Sequence, residues 1–174
     1  MKNPVIRFVI LFMAIYGSWY LVYELYLAQN TSIDRILIEL VGKSSTQLLI
    51  WFGFEASYQI LPHTVSLNSI TCISVGASCN GLALFALFAS FILATPVSIQ
   101  PKLLFIPLGI IVIFLLNVIR IAALTLNVKY YPESVDFNHH YLFTFIVYGI
   151  TFWIWIIWVN KFMIPSLKKN SSQS

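Results

Sequence analysis

Four apolar stretches long enough to cross a bilayer dominate this chain and leave few architectures open to it. Spanning the hydrocarbon core takes about 20 apolar residues, and without water to satisfy the backbone the segment must be helical. The first stretch runs from Pro4 to Leu27, uncharged between Arg7 and Glu24. It is too long and too aromatic for a signal-peptide core, and no small-residue cleavage site follows it. The second runs from Cys79 to Thr95, where Pro96 can stop it, and the third from Leu103 to Asn127. The fourth runs from His139 or His140 to Asn160 and carries Trp153, Trp155 and Trp158 toward its far end, as an interfacial belt would. Composition agrees. Charged residues make up 9% of the chain and hydrophobic residues 59%, against about 25% charged in soluble domains. A water-soluble globule and a disordered chain are both excluded. The net charge of +4 is too dilute for a nucleic-acid surface, and two cysteines exclude a disulfide-stapled miniprotein.

Charge then sets direction. With the N-terminus inside, Lys2, Arg7, Lys102, Lys161, Lys168 and Lys169 face the cytoplasm, while Arg35, Lys43, Arg120 and Lys129 lie outside. Six basic residues against four favour this orientation, because only Lys and Arg are counted. All the acids (Glu24, Asp34, Glu39, Glu55, Glu133, Asp136) then fall outside. The expectation is an all-α membrane protein with both termini cytoplasmic. It is a polytopic bundle of about four transmembrane helices, with spans near 4–27, 79–95, 103–127 and 140–160. Residues 1–168 form a single transmembrane domain, and 169–174 a flexible cytoplasmic tail.

Residues 30–78 make the longest region outside the spans. Ile33, Ile36, Leu37, Leu40 and Val41 follow helical i, i+3, i+4 spacing, whereas Asp34, Arg35, Glu39 and Lys43 lie mostly elsewhere on the wheel. This predicts an external amphipathic helix capped by Asn30, Thr31 or Ser32. The run Leu48–Phe54 is too short to cross and is expected in the interface. Beyond Pro62, the β-branched segments VSLN and ITCISV predict a small β-hairpin that leads into the second span.

Polar residues in spans are costly and therefore informative. Cys79, in GASCNGL, opens the second span. Arg120, in NVIR, lies about 26 Å along the third at 1.5 Å per residue. His139 and His140, in FNHHY, open the fourth. The proposed topology places all four residues at the outer face. Together they support nucleophilic chemistry. A thiol at the positive end of a helix dipole and near an arginine is favoured as thiolate. A histidine can take its proton and later return it to a leaving amine. Arg120 stays protonated, so its role would be to stabilise an oxyanion or hold a carbonyl or carboxylate. Asn117, one turn earlier, could orient it, and Gly81 permits close approach of a peptide backbone. Taken singly, each has an ordinary reading. Cys79 could be a small buried hydrophobe or pair with Cys72, Arg120 could snorkel, and the histidines could join Cys79 on a metal, although no HExxH or CxxC spacing supports that.

The order Cys79 with Gly81, then Asn117 and Arg120 as NxxR, then a histidine opening the last span, resembles the exosortase/archaeosortase family. The likeness covers roughly Ile70 to Trp158 and suggests a short, core-only member. The family's usual C-S-G motif is here Cys79-Asn80-Gly81, which leaves the effect of Asn80 open. The resemblance implies a bacterial inner-membrane cysteine transpeptidase or protease that cuts C-terminal sorting signals on the extracytoplasmic face through a thioester. Cys79, Arg120 and His140 would be catalytic, His140 being favoured over His139 because Tyr148 follows it by eight residues. No cofactor and no metal are implied. The partners would be the lipid bilayer and a membrane-anchored protein bearing a sorting signal. The rival readings are a non-catalytic scaffold in polysaccharide export or protein sorting, and a small transporter-like protein that uses Arg120 as an anion or lipid site.

Overall fold

The apolar stretches become helices whose ends are set by local chemistry. The computed structural model describes residues 4–23, 25 and 32–171. Three helical runs are long and apolar enough to cross a membrane: α1 (Pro4–Val22), α4 (Ile99–Tyr130) and the run Pro132–Lys168. The last contains the short α5 (Val135–Phe137), then α6 (Phe143–Trp158) and α7 (Ile164–Ser171), joined through π-helical turns at Asn138–Leu142 and Val159–Met163. The far end of the first expected span falls mostly outside the described residues, as do the capping candidates Asn30 and Thr31. The tail expected to be flexible from 169 is helical through Ser171.

The second expected span is shorter than its sequence suggests. α3 runs only from Leu82 to Ala94, 13 residues, or about 20 Å against a hydrocarbon core of about 30 Å. Its start is delayed because Cys79 closes a 3-10 turn (Ala77–Cys79) and Gly81 sits at φ 81°, a region that suits glycine. Its end comes at Thr95, whose hydroxyl donates back to Ile92 O at 2.6 Å just before Pro96.

The chain divides into two compact units. The first comprises Met1–Gln29, Ala83–Val112 and Gly149–Ser174 and is held by aromatic packing. Phe91 stacks on Trp155 at 4.3 Å and takes the edge of Phe8 at 5.3 Å. The Phe88 ring lies directly over Gly109, where a Cβ would come within 2.2 Å of it. Lys102 is buried and its ammonium donates to Leu93 O and Thr95 O, the end carbonyls of α3, as a helix C-terminus favours. Trp158 is fully buried and donates from Nε1 to Thr95 Oγ1 at 3.2 Å, so it belongs to the interior, not to an interfacial belt.

The second unit comprises Asn30–Leu82 and Ile113–Tyr148. It holds α2 (Ser32–Trp51) and a three-stranded antiparallel sheet in the order β1 (Ala56–Gln59), β2 (Thr64–Leu67), β3 (Ile70–Ser74). The expected hairpin is β2–β3. Its two-residue loop, Asn68 (φ 49°) and Ser69 (φ 64°) between the paired Leu67 and Ile70, has the positive φ pair of a type I′ turn. β1 is an additional strand in register with β2, Ala56 facing Leu67 and Gln59 facing Thr64. α2 ends at Gly53 (φ 86°), where Phe54 N bonds back to Leu49 O at 3.1 Å. The run from Leu48 is therefore largely the last turn of this helix.

The face that α2 buries differs from the expected one. Its buried stripe is Asp34, Ile38, Val41, Gly42, Ser45, Thr46 and Leu49, while Ile33, Ile36 and Leu40 are exposed. Small and polar residues share the inward face with Ile38, Val41 and Leu49, the small ones allowing the close backbone approach seen between helices in lipid. Ser45 Oγ lies 2.7 Å from Val41 O and 3.0 Å from Val118 O, bridging α2 to α4. Gly42 receives the Tyr58 ring of β1. Burial, then the charge of Glu39, holds the Tyr58 phenol above its ordinary pKa, and its hydroxyl shares a 2.9 Å hydrogen bond with His63 Nδ1. Ile38, Val41, Leu49, Val65, Leu67, Val75, Cys79, Ile121 and Ala122 form the core.

Candidate active site

Every residue proposed from sequence for the site lies in the second unit. Cys79 ends the 3-10 turn, with its N–H bonded to Gly76 O at 2.9 Å, and is 8% exposed at the edge of the core. Cys72 and Cys79 are both thiols and form no disulfide. Cys72 is engaged locally, its Sγ donating to Ile70 O at 3.3 Å.

His139 is the histidine at the thiol. Its Nε2 lies 3.8 Å from Cys79 Sγ, within reach for a sulfur hydrogen bond. His140, favoured in the sequence reading, points elsewhere. Its Nδ1 is 3.0 Å from Asp136 O and 3.5 Å from Asp136 Oδ1, and its side chain is 61% exposed. The reason is helical geometry. Consecutive residues project about 100° apart, so a turn that aims one ring at Cys79 must aim the next away, and the two rings meet edge to face at 4.8 Å. Both sit in the π-helical turn Asn138–Leu142, a local unwinding often found where a helix serves a site. That turn is tethered just upstream. Asn138 Nδ2 donates to Asn127 Oδ1 at 3.1 Å, and Asn127 Nδ2 donates to Ser134 Oγ at 2.8 Å.

α4 brings the two remaining polar groups. Arg120 lies within electrostatic reach of His139, and its Nε is buried without a hydrogen-bond partner among the described residues. Asn117 is 2% exposed, and its Nδ2 likewise has no partner. One turn of helix thus carries two buried donors. Unpaired buried donors are costly, and a carbonyl or oxyanion entering here would satisfy them.

Asn80 and Gly81 shape the turn around the thiol. Asn80 is 1% exposed, its Oδ1 accepts from Leu82 N at 2.9 Å, and its Nδ2 donates to Asp34 Oδ1. Asp34 was expected on the solvated side of α2 and is buried instead. Its spacing with Ile38, Val41 and Ser45 (i, i+4, i+7, i+11) was the available signal.

The site sets a buried thiol beside an imidazole, with unpaired buried donors on α4 in the same unit. Residues 4–159 match the family described as transmembrane exosortase. The chain therefore belongs to the transmembrane exosortase family and is a multi-pass membrane protein. No curated protein and no solved structure matches it.

Proposed function

We propose that the protein is a cysteine transpeptidase or protease that cleaves C-terminal sorting signals of membrane-anchored proteins on the extracytoplasmic face of the bacterial inner membrane. The observation that carries this reading is the 3.8 Å approach of Cys79 Sγ to His139 Nε2, supported by membership of the exosortase family. His139 takes the thiol proton as Cys79 attacks the scissile carbonyl. The tetrahedral oxyanion is met by Arg120, with Asn117 as a second donor. Collapse to the thioester expels the amine of the downstream segment, which takes the proton from His139. Water or an acceptor amine then attacks the thioester and releases the upstream protein. His139 therefore takes the base's role that the sequence reading gave to His140. With the N-terminus inside and α3 counted as a crossing, the start of the last span and the end of α4 lie at the outer surface.

The test is to trap the intermediate. A membrane-anchored reporter ending in a short motif, an apolar span and a basic cluster is incubated with the protein, then quenched in acid. A hydroxylamine-labile adduct should appear on Cys79, vanish in Cys79→Ala, and persist in Cys72→Ala. An adduct that survives Cys79→Ala refutes the assignment.

A further inference from the structure

Asp34 is 7% exposed, and burying a carboxylate is unfavourable unless specific partners hold it. It sits in the first turn of α2, where the helix dipole favours a negative charge. Its Oδ1 accepts from Nδ2 of Asn80, the residue that immediately follows Cys79. The other end of the same amide is also fixed, Asn80 Oδ1 accepting from Leu82 N at 2.9 Å. These two bonds assign the amide's orientation, nitrogen to the carboxylate and oxygen to the N–H. The cysteine turn has glycine on either side, Gly76 before it and Gly81 at φ 81° after it, so its own backbone restrains it little.

We propose that Asp34 is a positioning residue for the nucleophile, acting through Asn80 to hold the Cys79 turn in register with His139. The inference rests on reading Cys79 as the nucleophile. The 3.8 Å thiol–imidazole approach is an alignment that a displacement of about 1 Å would spoil, at a cost of about a hundredfold in rate. Asn80 joins the nucleophile's turn to α2 and to the start of α3, and Asp34 supplies the α2 anchor.

The test exploits an exchange of the two side chains, in a Cys72→Ala background with the full chain in membranes. Asn80→Asp alone sets two carboxylates against each other. Asp34→Asn combined with Asn80→Asp restores the pair: the new carboxylate at position 80 accepts both from Leu82 N and from the new amide at position 34. Two readouts are taken, kcat and KM for signal cleavage and the rate of Cys79 alkylation by N-ethylmaleimide. Asp34→Ala and Asn80→Asp should each lower kcat about tenfold or more, as loss of a hydrogen bond to a charged group would, with KM little changed and alkylation slowed. The double exchange should recover both rates to within about threefold of the parent, a residual within the range of one ordinary hydrogen bond. Recovery no better than Asn80→Asp alone, or parental rates in Asp34→Ala, overturns the proposal. Should the parent cleave no signal peptide, the function reading fails, while the alkylation series still decides the role of Asp34.

Discussion

Replacing His139 and His140 one at a time tests which of them serves the proposed thiol chemistry, and the structure orders the two expected effects. His139 Nε2 is the imidazole nitrogen at Cys79 Sγ. His139→Gln keeps a polar side chain but removes the group that accepts and returns the proton. General acid–base catalysis contributes about 10²–10⁴ in rate, so acyl-enzyme formation should fall by that factor, a loss of about 3–5 kcal/mol in transition-state stabilisation. The polar partner of His140 is Asp136, whose carboxyl is itself almost fully exposed. Exposed pairs of this kind are worth about 0–1 kcal/mol, so His140→Gln should cost at most about fivefold. The assay is single-turnover formation of the Cys79 adduct in reconstituted membranes, with thermal unfolding of each variant as a control for folding. A hundredfold loss in His140→Gln with a small loss in His139→Gln would invert the assignment. Small losses in both would refute a thiol–imidazole mechanism.

Two further outcomes test the frame around the site. Gly42→Ala would place a Cβ 2.3 Å from Tyr58 Cε2 and force that ring off its bond to His63, destabilising the protein by about 1–3 kcal/mol; a neutral effect in denaturation of the solubilised protein would contradict the α2–β1 packing. Ser69→Cys, at the exposed tip of the β2–β3 turn, should react with an impermeant thiol reagent from the extracytoplasmic side in a Cys72→Ala background, and labelling only from the cytoplasmic side would reverse the topology.

What the sequence revealed follows from which forces act locally. Three of the four spans were readable because lipid forces an uncharged apolar stretch into a helix whatever its neighbours do, whereas the second proved a shorter helix. The β2–β3 hairpin was readable because β-branched runs flank a turn that Asn68 and Ser69 can adopt. β1 was not, because Ala56–Gln59 has no strand signature of its own and pairs only once β2 is in place. Cys79, Arg120 and Asn117 were legible as polar residues in costly positions. Which histidine faces the thiol was not, since it turns on about 100° of helix rotation that adjacent positions in a sequence do not encode.

The misread face of α2 and the missed Asp34 have one cause. A rule that buries the apolar stripe assumes water on the other side. In this unit the inward stripe of α2 carries Asp34, Gly42, Ser45 and Thr46 alongside Ile38, Val41 and Leu49, whereas Ile33, Ile36 and Leu40 project outward. The same inversion holds along the site. Asn80 and Asn117 are nearly fully buried, and Ser45 bonds across to the backbone of α4 one residue beyond Asn117. Where the surroundings are apolar, polar side chains gain most by facing one another, because each left outward would lack a partner. That preference gathers a carboxylate, two amides, a guanidinium, an imidazole and a thiol into one unit without any of them needing to be on a surface loop. It also makes their hydrogen bonds directional constraints on the backbone, so that Asp34 in α2 is tied through Asn80 to the turn that carries Cys79.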